Sequence, residues 1–393
     1  MPETFPQSPR LAFSHEVVDS RPPSRELVFC HATDLTGNGR PDVIVGGKGM
    51  RDNLWINGQG TRFPNYPRLL KETLGIGLAN VFWYENPGWE RHLITDTRRL
   101  EVGSALGDID GDGRLDLVAG QTVHQSDVYW YEQPDDPREP WTEHCITDAY
   151  EMYHDIRVAD VDDDGDPEVV GLSHKSETVF YYDIPADPTQ EPWPDSHRHE
   201  IATDIEVEGA EVVDIDGDGR TELLEGTNIY HRPPPGEAAW RREQVVTGWD
   251  DVRIAVADLD DDGDLEIVYA EGDSPVHGTH MGRVAWVDPP DWDLHVLRDD
   301  LFCPHSLQIT DFTGDGRPDI YVGEQGMGEH DTPRQFIFQN LGDGEFEEHV
   351  IAEGIPVHEA KAVDLTGDGR PDVVGKPHHP QRRVDVWYNE TDW

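Results

Sequence analysis

Residues 108–121 read DIDGDGRLDLVAGQ. Three aspartates occupy alternate positions, two glycines permit a tight reversal, and a short apolar run follows. A turn signal leading into an apolar run of this length marks the corner of a β-hairpin. The cassette returns from Asp34 (DLTGNGRPDVIVGG), Asp160 (DVDDDGDPEVVGLS), Asp214 (DIDGDGRTELLEGT), Asp258 (DLDDDGDLEIVYAE), Asp311 (DFTGDGRPDIYVGE) and Asp364 (DLTGDGRPDVVGKP). The seven starts are 74, 52, 54, 44, 53 and 53 residues apart. A period near fifty built of short strands specifies a radial or solenoidal array of repeats.

Each cassette sits in the same company. Around Asp160 the alternating segment YHDIRVAD precedes it, EVVGLS follows, then a loop, then TVFYYDIP, and a last segment closes in HEI at His199–Ile201. These read as strands A to D of one blade, with the acidic cassette as the A–B turn. Strand C recurs as VFWYENP, VYWYEQP, VFYYDIP, VAWVDPP and VDVWYNE, and strand D as WERHLI, WTEHCI, DLHVL and EEHVI. The seventh copy ends at Trp393 after its strand C, while LAFSHEVVDS at residues 11–20 matches the strand D of other blades. A ring closed by that strand has no free sheet edge, whereas a solenoid needs polar caps. The expected fold is all-β: a seven-bladed β-propeller of four-stranded blades, one domain over residues 1–393. The strand at 11–20 completes the blade of residues 357–393, and the long first spacing places an insertion at about 48–78 in blade 1.

Charge narrows the partners. The chain carries 81 acidic and 31 basic residues, a net charge of −50, and only five of the basic residues are lysines. Twelve tryptophans speak for a packed core rather than an acidic disordered chain. The acid-rich, lysine-poor composition resembles proteins of salt-accumulating halophiles, in which counterions screen self-repulsion within roughly 3 Å at 1 M salt. Nucleic acid and anionic membranes are disfavoured, since phosphate binding requires clustered positive charge. Three scattered cysteines imply no disulfide framework. The first residues, MPETFPQSPRLAF, form neither a basic nor an apolar leader region, so the expected location is cytoplasmic.

Alternate carboxylates before a tight turn bring hard oxygens to one point, which suits Ca²⁺. The expected ligand sets are Asp108, Asp110, Asp112 and Asp116 in blade 2 and Asp160, Asp162, Asp164 and Glu168 in blade 3. Blade 4 offers Asp214, Asp216, Asp218 and Glu222, and blade 5 offers Asp258, Asp260, Asp262 and Glu266. Blades 1, 6 and 7 carry Thr36, Thr313 and Thr366 at the third position, leaving Asp34, Asn38 and Asp42; Asp311, Asp315 and Asp319; and Asp364, Asp368 and Asp372. The competing reading is an Asx-stabilised turn without metal. In both, the cassettes are structural.

The nineteen histidines sort by blade position. His15, His92, His144, His199, His295 and His349 fill one slot of strand D and read as rim packing. His154, His305 and His358 stand six residues before their cassettes, at the start of the innermost strand, and Glu208 takes that place in blade 4. His124, His174, His231 and His330 are read as B–C loop residues, on the same face of the ring, opposite the cassettes. Tyr153, Arg157, Tyr230, Arg253 and Lys361 flank them. A pocket of imidazoles, cations and acids suits proton transfer, because histidine titrates near neutrality. β-Elimination from a sugar acid needs a cation to hold the anion, a base for the adjacent proton and an acid for the departing oxygen. Histidines with Glu208 are also donors for Zn²⁺ or Mn²⁺. No serine elbow, phosphate-binding glycine loop, CxxC or HExxH is present.

The seven cassettes closely match the loop D-x-[DT]-G-[DN]-G-x-x-[DE], with Asp163 and Asp261 in place of its first glycine, and so resemble FG-GAP or VCBS repeats across essentially the whole chain. The resemblance implies the propeller; such blades serve adhesion, lectins and carbohydrate lyases alike. The histidine-lined face is further similar to the propellers of rhamnose–glucuronate lyases and of aldos-2-ulose dehydratase. That likeness implies a carbon–oxygen lyase acting on a small-molecule or oligosaccharide substrate. His154 or His305 would be the base, Tyr153 the acid, and Arg157 with His358 the anion clamp. His124, His174, His231, Tyr230, Glu208, Arg253, His330 and Lys361 would line the substrate site. The alternative is a non-catalytic propeller that binds carbohydrate or protein through the same face.

Overall fold

The computed structural model describes residues 11–393 except 25, 49–52, 57–58, 63–79, 97, 123–124, 204, 206–207, 235–238, 327–331, 379–380 and 393. Seven four-stranded antiparallel sheets and one two-stranded hairpin make up the sheet structure. Blade 3 shows the pattern, with strands Tyr153–Ala159, Glu168–Ser173, Thr178–Asp183 and Arg198–Thr203 paired in chain order. Strand B is buried along its whole length in every blade, as a strand covered on both faces must be. Apolar layers between blades form the core; Trp130 of blade 2 meets Tyr153 and Phe180 of blade 3 in one of them.

Closure follows the expected route. Phe13–Asp19 pairs antiparallel with Val384–Asn389, with Phe13 opposite Asn389 and His15 opposite Trp387. The first strand of the chain is therefore the fourth of the last blade. Of the blade 1 insertion, the described part is a hairpin, Asn53–Ile56 with Gln59–Arg62.

The cassettes are tight turns held in left-handed backbone. Gly111 and Gly113 have φ of +76° and +89°. At the place of Gly111, blades 3 and 5 carry Asp163 and Asp261, with φ of 56° and 65°; aspartate is one of the few residues that tolerates this region. The strand D histidines pack on the rim as expected. His92, His144, His199 and His295 lie over Trp83, Trp130, Tyr181 and Trp286 at 4.5, 4.5, 4.6 and 4.1 Å between ring centres.

Candidate functional site

The seven innermost strands surround a central cavity of about 420 Å³. Successive residues of a strand point to opposite sides, so alternate positions supply its wall. His31, Asp155, Arg157, Glu211, Arg253, His305, His358 and Lys361 all line it.

At the end of the cavity away from the cassettes, polar groups from five blades form one connected girdle. His154 Nε2 lies 3.1 Å from Glu208 Oε1, and Arg253 Nη2 donates to Glu208 Oε2 at 3.1 Å. The same guanidinium donates to His305 Nε2. The other ring nitrogen of His305, Nδ1, donates to the carbonyl of His358 at 2.7 Å. The two imidazoles stack, with ring centres 3.9 Å apart. Lys376 Nζ lies 2.6 Å from His358 Nδ1 and donates to the Leu27 carbonyl at 3.2 Å, carrying the girdle into blade 1.

Burial and charge set these groups apart. Burial would lower His154, but Glu208 and Asp155 beside it more than offset that and hold it up to about 9. His305 has only the more distant Asp273, with Oδ1 3.9 Å from Nε2. Burial, then Arg253 for His305 and the neighbouring His305 for His358, keep both imidazoles neutral, well below the usual histidine range. Burial brings Lys376 down to about 7, although Glu359 pulls the other way. Titratable groups with values driven apart inside one cavity are a mark of functional sites.

Several expected residues fall elsewhere. Tyr153 is fully buried in the core between blades 2 and 3; its hydroxyl donates to the Ser126 carbonyl at 2.8 Å and accepts from the Tyr150 amide at 3.1 Å. It does not reach the cavity and has no proton to deliver there. Tyr230 is likewise interior, in the core between blades 3 and 4. His231 is not in a B–C loop. It ends strand C of blade 4, Asn228–His231, on the cassette face, with Nδ1 3.6 Å from Glu222 Oε1. His124 and His330 lie outside the described residues. His174 does stand in its B–C loop, and its donor atom, one of Glu208 and one of Asp251 lie within 4.8 Å of one another. That mixed nitrogen–oxygen trio could hold Zn²⁺ or Mn²⁺. Arg157 donates to Glu211 Oε1 at 3.3 Å, and Lys361 to Glu359 Oε1 at 3.2 Å. Two groups escaped the sequence reading. One is Asp251. The other is Lys376, which takes a strand B position held by Gly46, Gly120, Gly226 and Gly323 in other blades.

The cassettes divide into two kinds. In every one the first aspartate accepts backbone amides, as Asp108 does from Asp112 and Gly113 at 3.0 and 2.9 Å. The last acid differs. Where it is aspartate, both oxygens meet backbone: Asp42 accepts from Leu35 and Asn86, Asp116 from Ile109 and Gln133, Asp319 from Phe312 and Asn340, and Asp372 from Leu365 and Asn389. The side-chain amide of that Asn or Gln then donates to the cassette of the preceding blade: Asn86 to Leu365, Gln133 to Leu35, Asn340 to Leu259 and Asn389 to Phe312. In blades 3 to 5 the last acid is glutamate. Its Oε2 meets the same amide, from Val161, Ile215 or Leu259. The extra methylene frees Oε1. Glu266 is fully buried and its Oε1 has no hydrogen-bond partner among the described residues. A buried, unpartnered carboxylate oxygen beside Asp258, Asp260 and Asp262 fits a hard cation such as Ca²⁺. Donor atoms of Asp160, Asp162 and Glu168, and of Asp108, Asp110 and Asp116, also cluster within 4.8 Å. In the threonine cassettes Thr313 and Thr366 turn their amides onto the first aspartate at 3.2 Å, so that part of its acceptor capacity is taken within the turn.

Residues 108–171, 160–225 and 311–375 match the model of the FG-GAP-like repeat. Among solved structures, the V. cholerae biofilm matrix protein Bap1 aligns over 99% of this chain and 68% of its own, at 12% identity and a TM-score of 0.41. No curated protein matches the chain. No described helix is long and apolar enough to cross a membrane. The acidic cassettes of blades 2, 3, 4, 6 and 7 thus fall within FG-GAP-like repeat matches, and the chain that carries them is a seven-bladed β-propeller.

Proposed function

We propose that the protein is a carbon–oxygen lyase that eliminates across a uronate- or keto-sugar-containing carbohydrate at the girdled end of the central cavity. One observation carries this reading: two neutral, stacked imidazoles, His305 and His358, share a cavity wall with the guanidinium groups of Arg157 and Arg253. The cations would hold the carboxylate or carbonyl and make the adjacent C–H more acidic. His305 is the base, through the Nε2 lone pair that now accepts from Arg253. With Tyr153 out of reach, the departing oxygen takes its proton from His358. While Lys376 donates to Nδ1, the His358 ring carries its proton on Nε2. General acid–base help of this kind contributes about 10²–10⁴-fold to a rate. The glutamate cassettes of blades 3 and 5 serve as Ca²⁺-bound turns that help keep the blades in place, and the −50 charge suits work in concentrated salt.

The test is an elimination assay in molar KCl with Ca²⁺, using uronate-containing oligosaccharides and anhydro-keto-sugars and following the ultraviolet band of the new conjugated double bond. The band should appear and be lost in His305→Ala and His358→Ala. A folded protein that gives no band on any substrate, yet retains one of these sugars on a glycan array, would be the non-catalytic carbohydrate-binding propeller instead.

A further inference from the structure

Blade 4 departs from its neighbours in one respect. In blades 1, 2 and 3 an acid at the end of strand C faces a histidine on strand D: Glu85 with His92, Glu132 with His144, Asp183 with His199. In blade 4 the pair is reversed. His231 ends strand C, and Glu243 takes the strand D slot, with His231 Nε2 3.1 Å from Glu243 Oε2. Glu243 is itself fixed by Arg241 at 2.8 Å and by the Trp292 indole N–H at 3.0 Å. A carboxylate so held accepts a hydrogen bond from Nε2–H, which leaves a lone pair on Nδ1. That lone pair looks into the blade 4 cassette.

Three features converge there. Glu222 is 3% exposed; its Oε2 accepts from Ile215, and its Oε1 faces His231 Nδ1 at 3.6 Å, beyond hydrogen-bonding distance. Two lone-pair donors thus look at each other with no hydrogen bond between them. Neighbouring ligands of a tetrahedral Zn²⁺, with bonds of about 2.0–2.2 Å, stand roughly 3.3–3.6 Å apart. Asp216 brings a third donor, all three atoms lying within 4.8 Å of one another. Asp214 Oδ1 is buried nearby without a hydrogen-bond partner. A ligating imidazole whose second nitrogen is held by a carboxylate is the usual arrangement around protein zinc.

We propose that the blade 4 cassette is a site for a borderline divalent transition ion such as Zn²⁺, bound by His231 Nδ1, Glu222 and Asp216 and oriented by Glu243, in a ring whose other cassettes offer oxygen alone. A nitrogen donor favours Zn²⁺ over Ca²⁺, which takes oxygen ligands almost exclusively.

The probe is Co²⁺ or Zn²⁺ alone, added to the full chain in a large excess of Ca²⁺. One equivalent should bind at blade 4, counted apart from any taken by the cavity trio, and Co²⁺ there should give visible absorption bands of nitrogen–oxygen ligation that depend on His231. His231→Gln should abolish that equivalent. Glu243→Gln, which keeps every ligand, should weaken it about 10–100-fold. Asp251→Asn, which removes a donor from the cavity trio, should leave it unchanged. Loss of the band in Asp251→Asn, retention in His231→Gln, or no band in the parent protein would each overturn the proposal. Should His231→Gln fail to fold, the affinity of Glu243→Gln alone decides.

Discussion

Lys376 Nζ lies 2.6 Å from Nδ1 of His358, and neither the ammonium nor its stem is exposed to water. A buried amine with a value near 7 that returns to about 10.5 on unfolding binds fewer protons folded than unfolded between those limits. Stability therefore rises with pH across that window, by at most about 1.4 kcal/mol per unit, and the penalty is full and constant below pH 7. Lys376→Met removes the penalty. Its urea midpoint should gain most on the parent protein at pH 6 and lose that advantage by pH 10. An equal difference at both values would show that Lys376 keeps its proton in the fold.

Asn340 ties blade 6 to the Leu259 carbonyl of blade 5 at 2.7 Å, and both groups are buried. Asn340→Ala leaves that carbonyl without a donor and should cost about 1–3 kcal/mol by chemical denaturation. A loss no larger than that of an exposed control substitution would mean the amide holds nothing.

Glu266 and Asp319 close equivalent turns but should answer differently to substitution. Glu266→Gln is expected to lower the number of Ca²⁺ ions bound by one, counted by calorimetric titration. Asp319→Asn should leave that number unchanged while destabilising the fold by about 1–3 kcal/mol, because one of the two oxygens that accept the Phe312 and Asn340 amides becomes an NH2 group and leaves a buried backbone N–H unpaired. A drop in Ca²⁺ count for Asp319→Asn would remove the distinction between the two kinds of cassette.

With a net charge of −50, the folded ring repels itself at low ionic strength. The melting temperature should climb steadily from 0.1 M to about 2 M KCl, as the Debye length falls from about 10 Å to less than 3 Å. The same rise in sucrose of matched water activity would point to solvent exclusion rather than screening.

The repeat made the ring and its seam legible, since seven cassettes and a displaced strand D admit one arrangement. Position along strand A was also readable, and His305, His358 and Arg253 fell together. The errors have local causes. Tyr153 was grouped with His154, yet the register shift between Tyr153 and Asp155 breaks the alternation that puts Asp155 and Arg157 on the cavity wall and leaves Tyr153 in the core. His231 was assigned to a loop that does not exist: strand B of blade 4 ends at Glu225 and strand C begins at Asn228. The shortest spacing, 44 residues, was the available hint. Lys376 gave only a faint sign, a lone lysine in an apolar strand, and Asp251 none, because its role depends on which loops converge.

The amide links from Asn340, Asn389, Asn86 and Gln133 join blades 5, 6, 7, 1 and 2 in an unbroken arc. Of the remaining blades, Ile184 and Pro289 at the matching place make no such link, whereas Arg232 of blade 4 donates to Asp163 in the cassette of blade 3. The gap between the chain ends thus falls inside the fastened arc, where it is bridged by neighbours on both sides. The opposite arc carries the glutamate cassettes, and Arg232 and Thr221 fasten blade 4 to blade 3 there. A propeller built this way uses two kinds of fastening: neutral amides, which salt leaves untouched, hold the side of the seam, and a charged contact, which salt screens, holds the far side.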